Sequence, residues 1–357
     1  MPQKKTIATK NSGIIAKTPQ RMLAWFADNR RPLLWRENRT PYRVWLAEVM
    51  LQQTTVATAT GYFERFLTRF PDVHALAQAP LDDVLNLWQG LGYYNRARNL
   101  HKCAQEVSVE YSGHFPENAD ALQKLPGIGP YTSAAIACIA FDQPAPVVDG
   151  NIERVISRLF ALKTPLPGSK PDIKKYVAKL TPEQHSGDYA EAMMDLGATI
   201  CIPKSPRCSL CPLSDICKGH QQGIQATLPR KEKKKPRPEK SGDAFAFFAP
   251  DGSVFIRKRP EKGLLAGLWE LPHTGWENRP LPDFAEKPAG KKITRIRHVF
   301  THFGLELDLY KVTLKHKPNT NHGTWMHLNE MNDYAFSTLM KKAIGDIMSW
   351  TPSKAQL

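Results

Sequence analysis

Four cysteines crowd into seventeen residues, Cys201, Cys208, Cys211 and Cys217, in the array C-x6-C-x2-C-x5-C. Thiolates are ligands for soft metal centres, whereas a secreted disulfide framework would spread its cysteines along the chain. A zinc ribbon presents two close pairs separated by a long loop, so that two turns converge on one ion. Here one close pair is flanked by single cysteines six and five residues away. That compact spacing suits four thiolates around a cubane 4Fe-4S cluster, with a zinc ion as the alternative. Cys103 and Cys138 stand apart among apolar neighbours and read as buried small hydrophobes.

Two carboxylates have the setting for acid–base work. Glu48 is the one ionisable group in Trp45-Leu46-Ala47-Glu48-Val49-Met50-Leu51. Burial there raises a carboxyl pKa and keeps a proton available near neutrality, as a general acid requires. The plainer alternative is an ion pair with Arg36 or Arg43. Asp149 follows Val147-Val148 and precedes Gly150-Asn151, where an N-cap or Asx turn is the plainer reading. Between them lies Leu125-Pro126-Gly127-Ile128-Gly129-Pro130-Tyr131-Thr132. Gly127 and Gly129 let the backbone approach a ligand closely, and the next helix offers free N–H groups and a positive dipole end. A phosphate-binding hairpin fits, and so does an ordinary helix–helix turn. The Gly-Lys-Ser/Thr ending of a P-loop is missing.

The elements that must position these groups change character along the chain. Thr18-Pro19 predicts a helix start after a flexible basic tail over 1–17. Pro41 to Phe70, Thr132 to Phe141 and Asn151 to Leu162 carry apolar residues at helical spacing. After residue 240 the period shortens. Phe245 and Phe247, the turn Pro250-Asp251-Gly252 and Val254-Phe255-Ile256 predict a hairpin, and Gly304 to Tyr310 alternates as a half-buried strand does. Ser337 to Trp350 predicts a closing helix. The fold class is an all-helical region over 18–228 followed by an α+β domain over 241–357. Between them PRKEKKKPRPEK, residues 229–240, has seven basic and two acidic side chains in twelve and no apolar one. It reads as an extended basic tether, a candidate phosphate contact and docking segment for a partner protein.

The chain has 357 residues and a net charge of +15. An anionic partner follows, nucleic acid before membrane surface. With 41% hydrophobic residues, global disorder is excluded. No apolar run reaches the length of a bilayer span, and the first twenty residues lack a signal-peptide core. A monomer is expected, cytoplasmic and associated with the nucleoid if the source is bacterial.

Trp35-Arg36, Pro41-Tyr42, Glu48 to Thr54, Gly90-Leu91-Gly92-Tyr93-Tyr94, the glycine hairpin, Asp149-Gly150-Asn151, Met194 to Ala198 and the cysteine array occur in one order. Together they resemble the MutY family of adenine DNA glycosylases, in the helix–hairpin–helix superfamily that includes endonuclease III. The resemblance implies excision of adenine mispaired with 8-oxoguanine or guanine in double-stranded DNA. It implies Glu48 as the general acid that protonates adenine and Asp149 as the anion facing an oxocarbenium-like sugar, with Tyr131 and Asn151 beside them. Arg36, Gln53, Thr54, Leu91, Tyr93, Gly127 and Gly129 match DNA- or lesion-contacting positions. Tyr131 stands where bifunctional relatives carry a Schiff-base lysine, which implies a monofunctional enzyme. Leu264 to Pro272 resembles a Nudix-like domain without the glutamate cluster of a Nudix hydrolase. Phe300-Thr301-His302 matches the family's lesion-reading Phe-Ser-His loop, with Thr in place of Ser.

Overall fold

Helical spacing of apolar residues produces helices, as expected, and two largely buried ones carry the hairpin and the lone carboxyl. In the helix Pro41–Leu51 every residue from Tyr42 to Met50 except Arg43 is buried. Its partner, Pro130–Phe141, is buried from Thr132 to Ile139 and packs directly against it. Around this pair lie Val56–Arg69, Gly150–Leu159, Lys170–Leu180 and Ser186–Thr199. In a computed structural model the chain is described over residues 3–232, 236–277, 279–285 and 290–349, with side chains from Asn11 onward. It divides into two units, Met1–Ala77 with Lys102–Lys234, and Gln78–His101 with Lys235–Leu357.

The first helix corrects the expected flexible tail. It runs from Gln3 to Asn29 with Pro19 inside it. Proline has no N–H to give to the carbonyl four residues back, and its ring disfavours helix interior positions. Here Thr18 Oγ1 donates to the Ile14 carbonyl at 2.7 Å. Ile14, Thr18, Met22 and Phe26, each four residues from the last, are all buried. Burial of that stripe outweighs the local start signal and extends the helix upstream of it.

The second unit is built on a mixed sheet. Its strands are β1 (Glu239–Phe248), β2 (Val254–Lys258), β3 (Trp269–Glu270), β4 (Lys291–Val299), β5 (Gly304–Thr313) and β6 (Thr324–Met326). The order is β3-β2-β1-β5-β4, with β6 also on β2. β1 and β5 are parallel, and the other pairs are antiparallel. Alternation along β1 sends Ala244 and Ala246 to one face and Phe245 and Phe247 to the other. The small residues share a core with Leu305, Leu307 and the helix Thr338–Ser349. The aromatic face meets Phe255, Phe284 and Trp325.

Two boundaries differ from the expected ones. The tether is shorter than 229–240, because Arg230 and Glu232 exchange backbone hydrogen bonds with Leu166 and Glu239 already opens β1. Residues without apolar side chains can still be ordered through their backbone. Gln78–His101, helical by sequence, belongs to the second unit. Tyr94 Oη donates to the Phe336 carbonyl at 3.1 Å and Gln89 Nε2 to that of Tyr334 at 2.8 Å. Arg98 bonds Glu261 at 2.5 Å, under Gly267, where a Cβ would fall 2.2 Å from its guanidinium. Among the described residues no helix is long and apolar enough to cross a membrane.

Candidate active site

The Glu48 side chain, only 6% exposed, hangs from the buried helix Pro41–Leu51. Tyr131, one residue into the helix after the glycine hairpin, donates its hydroxyl to Glu48 Oε2 at 2.7 Å. Burial pushes the Glu48 carboxyl up to about 7, and the negative charges of Asp149 and Glu191 add to the push. The Tyr131 hydrogen bond and the Arg36 charge oppose it without prevailing. The ion-pair alternative fails. Arg36 is taken up by Asp195, at 2.7 and 3.0 Å, and by Glu191 at 3.2 Å, while Arg43 donates to the Leu34 carbonyl. A pocket beside Glu48 is lined by Arg31, Leu33, Trp35, Val56, Ile139 and Met194, among others.

Asp149 caps the helix Gly150–Leu159, so the plainer reading of its position holds alongside any chemical one. Oδ1 accepts from the Ile152 N–H at 2.7 Å, and Oδ2 accepts from Asn151 Nδ2 at 2.8 Å. Asn151 is held in turn by Arg154, which donates to Asn151 Oδ1 at 2.9 Å and to the carbonyls of Gly197 and Cys201. Gly197 is required here, since a Cβ on it would meet Asn151 Cβ at 2.6 Å.

One turn further along the same helix, Arg158 reaches the cysteine loop. It donates to the carbonyls of Cys201, Ile202 and Pro203 and to Cys201 Sγ at 3.3 Å. Neither arginine was singled out in the sequence, although basic residues four apart after the cap were a usable signal. Cys201, Cys208, Cys211 and Cys217 line one pocket and none is oxidised. Among the described residues no three His, Cys, Asp or Glu side chains converge closely enough for a single metal ion. Burial, helped by the neighbouring thiolates, pushes the Cys211 thiol up to about 12. Four thiols lining one pocket are the donor set that a four-thiolate cluster needs, so the residues present fit it.

The DNA-facing candidates divide sharply. Gln53 is exposed, at φ 59°, in the link between Pro41–Leu51 and Val56–Arg69, with Thr54 beside it. Its neighbour Gln52 donates to Thr132 Oγ1 at 3.1 Å, which ties this link to the hairpin helix. Gly127 has φ 75°, and Gly129 is the N-cap of Pro130–Phe141 with no side-chain cap. In the second unit Tyr93 is 48% exposed at φ 49°, whereas Leu91 is 6% exposed and packed as a core residue. Leu91 is thus not presented as a wedge. Nor is Arg36 presented to phosphate, because its guanidinium is buried in the carboxylates just named. Strained φ values at the exposed Gln53 and Tyr93 fit positions where function overrides local comfort. Phe300, Thr301 and His302 form the turn between β4 and β5, and Thr301 Oγ1 shares a 2.9 Å hydrogen bond with Tyr93 Oη.

The profile of the HhH-GPD superfamily base excision DNA repair proteins matches residues 46–183. The iron-sulfur binding domain of endonuclease III matches 201–217, and the NUDIX domain matches 243–346. Residues 201–217 accordingly carry the 4Fe-4S cofactor. Among solved structures, a thermostable thymine-DNA glycosylase matches with a TM-score of 0.53 at 27% identity, over 60% of this chain and 98% of that one. Endonuclease III in a non-covalent complex with DNA gives 0.51 at 28% identity, with the same coverage. The adenine DNA glycosylase of Homo sapiens is 33% identical over 90% of this chain and 72% of its own length. That of Buchnera aphidicola (subsp. Schizaphis graminum) is 34% identical over 337 residues, 91% of this chain and 97% of its own. With a buried proton-holding carboxyl, an iron–sulfur loop and a Nudix-like unit in one such chain, it belongs to the adenine DNA glycosylase family of base excision repair enzymes.

Proposed function

We propose that the enzyme removes adenine paired with 8-oxoguanine or guanine by acid-assisted hydrolysis of the N-glycosidic bond. The observation that carries this is the buried Glu48 carboxyl, raised to about 7 and hydrogen-bonded to Tyr131. A flipped base would enter the pocket beside Glu48, whose walls are largely apolar with Arg31 and Glu191 at hand. Glu48 gives its proton to the departing adenine, and Asp149, with both oxygens fixed by hydrogen bonds, faces the positive charge that develops on the sugar. Asn151 orients Asp149. Tyr131 cannot form a Schiff base, so the reaction stops at the abasic site and the enzyme is monofunctional.

Gln53, Thr54 and Tyr93 enter the stack, the Gly127–Gly129 hairpin holds a phosphate, and Phe300-Thr301-His302 reads the lesion. Cys201, Cys208, Cys211 and Cys217 hold the cluster, which orders the loop between them. The enzyme acts as a monomer where the DNA lies, the cytoplasmic nucleoid in a bacterium.

The test incubates purified protein with duplexes carrying A:8-oxoguanine, A:G, A:T or thymine glycol, with and without alkali. Adenine release from the first two, with strand breaks only after alkali, is expected. Release from thymine glycol, or breaks without alkali, would overturn the reading. Asp149→Asn should slow excision while leaving duplex binding largely intact.

A further inference from the structure

The cysteine loop is gripped from two sides. Arg154 and Arg158 hold its first half from within, through the carbonyls of residues 201–203. Its second half is met by the N-terminal helix. Arg21 forms a two-pronged ion pair with Asp215, at 2.5 and 3.1 Å, and also donates to the Pro212 carbonyl at 3.3 Å. Ten residues earlier on the same helix, Asn11 accepts a hydrogen bond from Lys218 Nζ and donates to Tyr176 Oη at 3.0 Å. Asn11 is 6% exposed, and its partner Tyr176 stacks on Phe160 at 3.8 Å. Pro212 and Asp215 lie between Cys211 and Cys217, and Lys218 follows Cys217 directly. The two grips therefore bracket Cys217 and begin directly after Cys211.

We propose that the N-terminal helix is a clasp for the iron–sulfur loop, with Arg21 and Asn11 as positioning residues that slow loss of the cluster. The inference rests on the four cysteines being the ligands. For the cluster to leave, the segment from Cys211 to Lys218 must swing outward, and that opening must break the Arg21–Asp215 pair and the Asn11–Lys218 contact. The second contact is shielded from solvent on the Asn11 side, and the first is a two-pronged guanidinium–carboxylate pair, the ion-pair geometry that holds orientation best. This gives the first thirty residues a role that their basic composition does not suggest.

The test uses the full-length holoprotein and follows decay of its visible absorbance and release of iron to an excess of chelator. As-purified iron in the wild type, and its absence in Cys208→Ala, check the ligand assignment separately. Arg21→Ala should shed iron about fivefold faster than wild type, the scale of a well-formed exposed pair. Asn11→Ala should do likewise, and Arg21→Asp should be worse than Arg21→Ala. Combining Arg21→Asp with Asp215→Arg should restore slow release, which a general loss of stability would not. Lys179→Ala, an exposed cation elsewhere in the same unit, controls for net charge. Wild-type release rates in both Arg21→Ala and Asn11→Ala, or failure of the charge swap to rescue, would overturn the clasp.

Discussion

Each unit of this enzyme buries a glutamate, and the two are driven in opposite directions. Glu48 sits at about 7 and Glu270 at about 2. Both are almost fully withdrawn from water, at 6% and 0% exposure, and burial alone would raise both. The partners decide. Glu270 receives His273 at 2.9 Å, Arg259 at 2.5 Å, Arg257 at 2.9 Å and Arg279 at 3.1 Å. Glu48 has one phenolic donor and looks towards two other carboxylates. A buried acid ringed by cations is a rivet. The same acid with a single neutral donor keeps a proton it can give away.

The largest expected effect tests that contrast directly. Glu48→Gln keeps the shape of the side chain and removes its titratable proton. Single-turnover excision should fall by about two to four orders of magnitude, the usual worth of a proton delivered in the transition state, with duplex affinity little changed. A near-normal rate would remove Glu48 from the chemistry. Glu270→Gln should do the reverse. It leaves several buried cations short of a counter-charge, a loss of about 3–5 kcal/mol in stability by analogy with broken buried pairs. Thermal unfolding of the full chain reports it, and the catalytic rate of enzyme still folded should hold.

The pH dependence sharpens the comparison. Glu48 must hold a proton to act, so the single-turnover rate should be level below pH 7 and decline above it. The folded state retains a proton on Glu48 that the unfolded chain, with a carboxyl near 4.5, gives up. Wild-type stability therefore drops between about pH 4.5 and 7, and Glu48→Gln escapes that drop. Its melting temperature relative to wild type should climb across this window. A smaller effect belongs to Tyr131→Phe. The lost hydrogen bond favoured the ionised carboxylate, so the alkaline limb of the rate profile should move to higher pH, with little change at neutrality. A limb that stays put would show that Tyr131 does not tune Glu48.

What could be read beforehand follows the range of the interactions involved. One charge inside an apolar heptad marked Glu48, and the spacing of four cysteines marked the cofactor loop, because both signals are local. The fate of Arg36 was hidden, since its partners Asp195 and Glu191 lie more than 150 residues on and no local pattern pairs them. The upstream half of the N-terminal helix is hidden in the sequence for a related reason. Thr18-Pro19 is a sound local start signal, and only the burial of Ile14 before it and Met22 after it carries the helix through. Strand alternation exposed the sheet of the second unit, but not its claim on Gln78–His101.

That claim has a consequence for how the protein is made. Tyr94 and the carbonyl it binds are 242 positions apart in the chain. During synthesis, Gln78–His101 leaves the ribosome long before its partners exist, while the flanking stretches on either side can already find each other. The nascent chain must carry this insert as an unfinished loop until Glu261, Tyr334 and Phe336 arrive. Contacts of such sequence separation form late and slowly. A chain stopped near residue 228 would therefore hold every candidate catalytic side chain and still present an orphaned insert, Tyr93 within it, to chaperones and proteases.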